Sequence, residues 1–379
     1  MQDRLSRLTL IGIALIGAAF VSTSLPAKTV KTLLHDFRVV QLANGLEHPW
    51  SIAFTPDNSI LVSERPGRLR LYREGRLDPQ PIANVPQVVN RGQGGLFDVT
   101  LHPDFSSNQL LYLAYAAGET DGVQTRVTRY RYDAGTHKLS DEKLIFEAKP
   151  KTFSGRHFGG RMVFDTKGYL YITMGDRGKM SLAQDISDHS GSVIRLHGDG
   201  GIPNDNPFLT KKRMRPEIYS FGHRNPQGMA VHPQTGAVWT HEHGARGGDE
   251  INIIRPGRNF GWPVITHGTD YDGSAIGIGK SAPGLEQPLY YWVPSIAPAG
   301  MAFYTGNRFI KWKNSLFIGA LRGKSLIRLE LEGNTIVKEE RLLQNSLGRI
   351  RDVRVGPDGL LYLVTDSHDG LLLRLEPIN

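Results

Sequence analysis

Cysteine is absent from the 379-residue chain, which excludes disulfide bonds, thiolate metal sites and cysteine nucleophiles. Long runs of one charge are also absent, although the formal net charge is +8. The densest basic cluster comprises only Lys211, Lys212, Arg213 and Arg215, and a cluster of this size is typical of a solvated loop. We therefore expect no nucleic-acid partner, whereas an acidic small ligand remains open.

Long apolar runs are absent except at the amino terminus. There, Arg4 and Arg7 precede an apolar run over residues 8–21, and small residues follow it. The run is shorter than the roughly 20 residues needed to span a bilayer, and its flanks are typical of an export signal. We expect residues 1–27 to be a signal peptide, cleaved after residue 24 or 27. An uncleaved membrane anchor is the alternative.

If the signal is removed, the remaining protein is expected to be soluble, exported and periplasmic, with no stable membrane span. The length that remains fits one large domain, such as a β-propeller, or two smaller ones. Glycine, with 43 residues, exceeds its usual share of about 7%. Because glycine supplies tight turns, this excess favours β structure over helix.

One short pattern recurs six times along the chain. Each copy has an alternating apolar strand, a turn rich in Pro, Asp or Gly, and a second alternating strand, which together predict a β-hairpin. The copies begin at His48, Gly94, Gly159, Gln227, Ala299 and Ile350. They are unequally spaced, which favours blades with variable loops over a solenoid with fixed coils.

The repeats predict an all-β fold, a six-bladed β-propeller formed by residues 28–379 as a single domain. Further strands after each hairpin complete three or four strands per blade. The segment 37–42 precedes the first repeat and is expected to join the last blade and close the ring. A two-sheet β-sandwich is the competing fold, but it would not require six copies of one hairpin.

In a propeller the first strand of each blade lines the central channel, so residues just before these strands share one face. At these positions, or at the first strand itself, the chain has Gln93, Arg156, His157, Arg224, Asn225, Arg349 and Arg351, and second strands end near Glu242, His243 and Arg322. Arginines and amides in a ring fit a flat ligand with several carboxylates. His157 is the general-base candidate, although a single histidine before a strand is ordinarily a turn residue.

A second cluster lies in the sequence HEHGARGGDEIN. Its acidic and amide residues are Glu242, Asp249, Glu250 and Asn252, and the glycines between them expose main-chain carbonyls. This combination suits Ca²⁺ better than zinc, because the histidines of HEH would alternate with the glutamate along a strand and lack a third ligand. A charged turn without any metal is the other interpretation.

Six ordered motifs identify a family: GQGGLFDVTLHPDF, HFGGRMVFDTKGYLY, YSFGHRNPQGMAVHP, EHGARGGDEIN, NFGWP and RIRDVRVGPDG. Together they resemble the soluble pyrroloquinoline quinone (PQQ) dependent aldose sugar dehydrogenases of the glucose/sorbosone dehydrogenase family. The resemblance covers nearly all of the chain after about residue 42. It implies a six-bladed propeller that oxidises aldose sugars at the anomeric carbon to lactones, with hydride transfer to bound PQQ and onward electron transfer to an unidentified acceptor.

The resemblance also implies site residues. His157 and Arg224 match catalytic positions. Cofactor-binding positions are matched by Gln93, Arg224, Asn225, Tyr271, Ala320, Leu321, Arg322, Arg349, Ile350 and Arg351. Calcium would bind the main-chain carbonyls of Gly244 and Ala245 and, at a further site, Glu250 and the carbonyl of Phe260.

The chain departs from the family pattern at two positions. Arg156 stands where glucose-type members have an acidic residue before the catalytic histidine, so the role of that carboxylate is not carried over. Arg322 replaces a lysine that members often use for the cofactor, which keeps the charge but changes a point donor into a fork. A metal-dependent lactonase or other hydrolase, and a non-catalytic propeller that binds a partner, are the alternative functions.

Overall fold

The computed structural model describes residues 29–378, which form six β-sheets arranged around one axis as a six-bladed β-propeller. The predicted all-β fold is thereby confirmed, while the predicted signal peptide lies outside the described residues. Within residues 29–378 no helix is long and apolar enough to cross a membrane.

Each blade is an antiparallel sheet, and in blades 1 to 5 the strands of the sheet follow one another in the chain. Blades 1 to 3 comprise β3–β6 (Pro49–Phe54, Ile60–Glu64, Arg68–Arg73, Arg76–Leu77), β7–β10 (Leu96–Leu101, Leu110–Glu119, Gly122–Asp133, Lys138–Glu147) and β11–β14 (Met162–Phe164, Tyr169–Thr173, Ser192–His197, Ile218–Phe221). Blades 4 and 5 comprise β15–β18 (Pro226–Val231, Val238–Glu242, Asp249–Ile253, Tyr290–Trp292) and β19–β22 (Pro298–Phe303, Leu316–Ala320, Ser325–Glu332, Thr335–Leu342). Within residues 29–378, helical structure is limited to α1 (Phe105–Asn108) and two 3₁₀ turns, Met180–Gln184 and Ile310–Trp312.

Blade 6 combines both ends of the described chain. It contains β23–β25 (Ile350–Val355, Leu361–Thr365, Gly370–Pro377), followed by β2 (Phe37–Leu46) and β1 (Thr29–Val30). Strand β2 pairs antiparallel with β25, from Phe37 opposite Pro377 to Leu46 opposite Gly370. The predicted closing strand is therefore confirmed, and it extends four residues beyond the predicted segment.

The hairpin turns that define the repeats depend on residues that tolerate a left-handed backbone. Asn58, Gly168 and Gly359 occupy equivalent turn positions with φ of 64°, 80° and 75°. In the first turn, the backbone N–H of Asn58 donates to the Thr55 carbonyl at 2.9 Å. Asparagine and glycine adopt positive φ at little cost, so these short turns hold the first two strands of blades 1, 3 and 6 in register.

The six first strands are the innermost, since each of them contacts the first strand of the next blade around the ring. Their buried charges are paired with one another across the axis. Arg161 lies 3.3 Å from Asp98 and 3.2 Å from Asp352, and Arg354 contacts the same two carboxylates at 3.2 and 2.9 Å. Two arginines and two aspartates therefore neutralise one another inside the ring of first strands.

Candidate active site

Two adjoining cavities lie where the loops before the first strands meet. The axial cavity, about 170 Å³, is lined by residues that include Trp50, Gln93, Phe158, Asn225, Gln227, Leu321, Arg349 and Arg351. The outer cavity, about 460 Å³, is lined by residues that include Gln93, Arg156, His157, Arg224, Trp262 and Tyr271. The ring of pre-strand residues predicted from the sequence is thus brought together, and Gln93 is common to both cavities.

The axial cavity combines aromatic surface with cationic and amide side chains. Trp50, Phe97 and Phe158 form a connected aromatic wall, with ring centroids 5.6 and 5.5 Å apart. Gln227 spans the polar side, where its Oε1 accepts from Arg351 at 3.3 Å and its Nε2 lies 3.4 Å from Asn225 Oδ1. Planar aromatic surface beside such donors suits a flat, anionic molecule.

Asp366 holds the two arginines in place. Its Oδ2 accepts from Arg349 at 2.9 Å and from Arg351 at 2.8 Å, while its Oδ1 contacts His48 Nδ1 at 2.9 Å. Burial by itself would raise the pKa of Asp366, but Arg351, His48 and Arg349 outweigh burial and hold this pKa well below its ordinary value. The sequence analysis missed Asp366, which follows the second strand of blade 6.

His157 lies at the junction of the two cavities with a fixed orientation. Its backbone has a left-handed φ of 50°, and its N–H donates to Gln93 Oε1 at 2.8 Å. Its ring Nδ1 is 2.5 Å from Asp176 Oδ1. A carboxylate is an acceptor, so a neutral imidazole carries its proton on Nδ1 and leaves the Nε2 lone pair for the outer cavity.

Asp176 is therefore a site residue that the sequence analysis did not single out. It lies three residues beyond the end of β12 in blade 3, two positions further along than Glu242, which is the last residue of β16 in blade 4. Comparing second-strand ends across all blades would have found it. The carboxylate that contacts His157 thus lies just after the second strand of blade 3. Arg156, which stands where glucose-type members have an acidic residue, is exposed at the rim of the outer cavity.

Arg224 connects the outer cavity to residues 241–252, which we call the HEHG loop. Its Nη1 donates to the His243 carbonyl at 3.2 Å and its Nη2 to the Tyr271 hydroxyl at 3.3 Å. Its guanidinium carbon lies 5.3 Å from the centre of the Trp262 ring. The cation is buried yet still lines the outer cavity, so it can contact a ligand there.

The remaining predicted cofactor residues divide into two groups. Leu321 lines the axial cavity and Tyr271 the outer one. Ala320 and Ile350 are fully buried in hydrophobic clusters between blades, and Arg322 is exposed. The side chains of Ala320 and Ile350 therefore do not line either cavity, and Arg322 is not among the lining residues.

The HEHG loop contains two carboxylates near each other, of which Glu242 is buried and Glu250 is half-buried. Glu242 accepts from His223 Nδ1 at 2.8 Å and from the Arg224 backbone N–H. Asn252 Nδ2 lies 3.4 Å from both Glu242 Oε1 and Glu250 Oε2. Removal from water, followed by the charge of Glu242, raises the pKa of Glu250 well above its ordinary value. Among residues 29–378, His223 is the basic partner of Glu242, whereas Glu250 has no basic side-chain partner.

Small polar surroundings near this pair fit a cation. Glu242, Glu250, Gly244 and Phe260 line one small cavity, and Ala245 lies next to it in a hydrophobic cluster. Carboxylate oxygens and main-chain carbonyls are the donors that calcium prefers. In the described part of the chain, no group of three or more acidic or histidine side chains converges as a metal site, so a cation here needs main-chain oxygens.

Asp249, by contrast, uses both of its carboxylate oxygens for hydrogen bonds to the main chain. Its Oδ1 accepts from the Gly244 N–H at 2.8 Å, and its Oδ2 accepts from Ile296 and Ala297 at 2.7 and 3.0 Å. It shapes the HEHG loop and is not free to bind an ion. The zinc interpretation also gains no support, since His243 Nε2 donates to the Pro298 carbonyl at 2.6 Å and, among residues 29–378, no third ligand side chain joins the histidines.

Comparison with known proteins places this site in a family. The glucose/sorbosone dehydrogenase family model matches residues 46–374. Aldose sugar dehydrogenase YliI of Escherichia coli is 44% identical over 342 residues, which are 89% of this chain and 92% of that protein. A glucose dehydrogenase crystal structure shares 50% identity with a TM-score of 0.87, covering 89% of this chain and 98% of its own.

A further solved structure, the PQQ-bound form of an aldose sugar dehydrogenase from Streptomyces coelicolor, shares 29% identity with a TM-score of 0.75 and covers 93% of this chain and 99% of its own. The family resemblance predicted from the six motifs is confirmed. Since the family model spans most of the chain and a relative of 44% identity spans nearly as much, this chain belongs to the glucose/sorbosone dehydrogenase family.

Proposed function

We propose that the protein oxidises aldose sugars at the anomeric carbon to lactones, using bound PQQ and an acceptor that remains to be identified. The observation that carries this proposal is the His157–Asp176 pair, with 2.5 Å between Nδ1 and Oδ1, at the boundary between a sugar-sized cavity and an arginine-lined one. A base positioned beside a site for a planar anion is what hydride transfer from a sugar requires.

The axial cavity fits PQQ, a flat tricarboxylated quinone. Arg349 and Arg351 would pair with its carboxylates, and Gln93 and Asn225 would bond to its carbonyl oxygens. Arg322, Tyr271 and the main chain at Ala320 and Ile350 would add contacts at its edges. When bound, PQQ supplies the carbonyl carbon that accepts hydride.

His157 accepts the proton of the anomeric hydroxyl at Nε2, because its Nδ1 proton is held by Asp176. Arg224 lies across the same cavity and would stabilise negative charge that develops on an oxygen there. The Tyr271 hydroxyl, 3.3 Å from Arg224 Nη2, orients that guanidinium. Loss of hydride and proton from the anomeric centre leaves the lactone as product.

We propose Ca²⁺ as the compensating cation of the acidic pair. Glu250 and the Phe260 carbonyl would hold one ion, and the carbonyls of Gly244 and Ala245 another near the cofactor. The support is the Glu250 carboxyl, which has no basic partner among residues 29–378 and lies next to Glu242 in a small cavity that Gly244 and Phe260 also line. Calcium there would neutralise buried carboxylates and stabilise the folded loop.

Export fits this function, because a tightly bound quinone needs no soluble nicotinamide cofactor. We propose that residues 1–27 direct export to the periplasm and that residues 28–379 act as one domain, with aldoses as substrates. The competing hydrolase would place several carboxylates around one metal at the axis, whereas the two ligand cavities are lined mainly by arginine, amide and aromatic side chains.

Reconstitution tests the proposal directly. Apoprotein given PQQ and Ca²⁺ should reduce an artificial dye when glucose or another aldose is added, and lactone should accumulate in proportion. Lactone hydrolysis without dye reduction would favour the hydrolase, and binding of sugar without turnover would favour a binding module. A panel of mono- and disaccharides would then give the substrate range.

A further inference from the structure

Trp262 is hydrogen-bonded to Asp176, the carboxylate that contacts the candidate base His157. The indole is buried, and its Nε1–H donates to Asp176 Oδ2 at 2.8 Å. Trp262 lies in the long connection between β17 and β18. This connection is longer than those between the third and fourth strands of blades 1, 2, 3 and 5, and neither the repeat pattern nor the family motif assigned Trp262 a role.

The two oxygens of Asp176 have different partners. Oδ1 accepts from the Gly178 backbone N–H at 2.7 Å and contacts His157 Nδ1. Oδ2 accepts from Trp262 alone among the described residues. Because Asp176 is almost completely buried, loss of the indole N–H would leave Oδ2 without a partner and free the carboxylate to rotate.

The Trp262 main chain is itself fixed. Its N–H donates to the Gly222 carbonyl at 2.9 Å, and its carbonyl accepts from Gln184 Nε2 at 2.6 Å. The indole face lies under the Arg224 guanidinium at 5.3 Å. A single rigid side chain therefore contacts both groups to which the proposed chemistry assigns roles, the carboxylate behind the base and the cation across the cavity.

We propose that Trp262 is a positioning residue: its indole N–H fixes the rotation of the Asp176 carboxylate and thereby keeps the proton of His157 on Nδ1. This inference rests on the proposed role of His157 as base. The indole ring also lines the outer cavity, but its N–H reaches the base only through Asp176, so the proposed role of the N–H concerns the orientation and tautomer of His157.

The sharpest test replaces only the N–H. Site-specific incorporation of 3-benzothienylalanine at position 262 keeps the bicyclic shape but removes the donor, and Trp262→Phe keeps a ring under Arg224. In the reconstituted enzyme, kcat should fall about tenfold, as is typical when an outer hydrogen-bond partner of a site residue is lost. In the benzothienylalanine protein, the sugar KM and the PQQ dissociation constant should stay within about twofold of the wild-type values.

A second measurement is independent of turnover. In ¹⁵N-histidine NMR spectra of the apoprotein, wild-type His157 should show the Nδ1–H tautomer, and the benzothienylalanine protein should show a mixture of both tautomers. If the Phe variant fails to fold, the isosteric protein still gives both readouts.

Trp292→Phe is the matched control. Trp292 is equally buried, and its Nε1–H also donates to a carboxylate, Glu339 Oε2, at 2.7 Å, but it lines neither cavity. This variant should keep wild-type kcat and tautomer. An unchanged His157 tautomer together with unchanged kcat in the isosteric protein would overturn the role of Trp262. Absence of sugar oxidation in the wild type would instead overturn the proposed function, and the tautomer measurement would still decide the positioning.

Discussion

Single residues near the axis divide into those that could do chemistry and those that orient them. His157 is the only histidine that lines the outer cavity in the described chain, and its second nitrogen is fixed by Asp176. Replacing His157 with Ala should lower kcat for aldose oxidation at least a hundredfold, the usual contribution of a general base. PQQ affinity, measured by fluorescence titration, should change little. Turnover within a few-fold of wild type would remove His157 from its role.

Asp366 is a charged residue that holds other charged side chains in place through ion pairs. Its pKa is held below the ordinary value by Arg351, His48 and Arg349, so its ion pairs stabilise the fold above the unfolded pKa of about 3.9 and are lost as the pH falls further, through the folded pKa. Asp366→Asn should therefore lower the melting temperature at pH 7. The difference from wild type should shrink as the pH is lowered below about 4. Thermal melts across this range, with Asp369→Asn as the surface control, measure both effects.

At the scale of an element, the HEHG loop brings two carboxylates close together. Asp249 supplies internal hydrogen bonds of the loop, while the buried Glu242 and the half-buried Glu250 share Asn252 as a neighbour. If calcium compensates them, chelation of the holoprotein should lower the melting temperature and abolish activity, and added Ca²⁺ should restore both, because an ion that binds only the folded state stabilises it by mass action. An unchanged melting curve in a protein that contains no metal would contradict this expectation.

Elements also show what could be predicted from the sequence. The alternation of apolar residues and the turns rich in Pro, Asp or Gly predicted six hairpins, because a two-residue period and a turn composition are local properties. Equivalent positions then placed Gln93, His157 and Asn225 together without any distance. Trp262 could not be found in this way, since it lies in the long connection between β17 and β18, outside the repeated hairpins. Asp366 and Asp176 could have been found by comparing second-strand ends in every blade.

At the scale of the whole molecule, the ring depends on one sheet made from both ends of the chain. Strand β2 is the neighbour of β25, and most of the apolar side chains of β25 are buried between blades. Deleting residues 370–379 should remove the cooperative thermal transition, because blade 6 would lose the strand that joins β24 to β2. Deleting only residues 29–30, which form the short outermost strand β1, should leave that transition within a few degrees. A truncated protein that still melts cooperatively near the wild-type temperature would show that closure is dispensable.

The pairing of β2 with β25 also sets an order of events during synthesis. Strand β25 is made after every other described strand, and its partner β2 is among the first described residues. The sheets of blades 1 to 5 contain only strands that follow one another in the chain, whereas blade 6 cannot be completed before Gly370–Pro377 has been made. A chain that has not yet reached β25 therefore leaves β2 without its partner strand and the ring open.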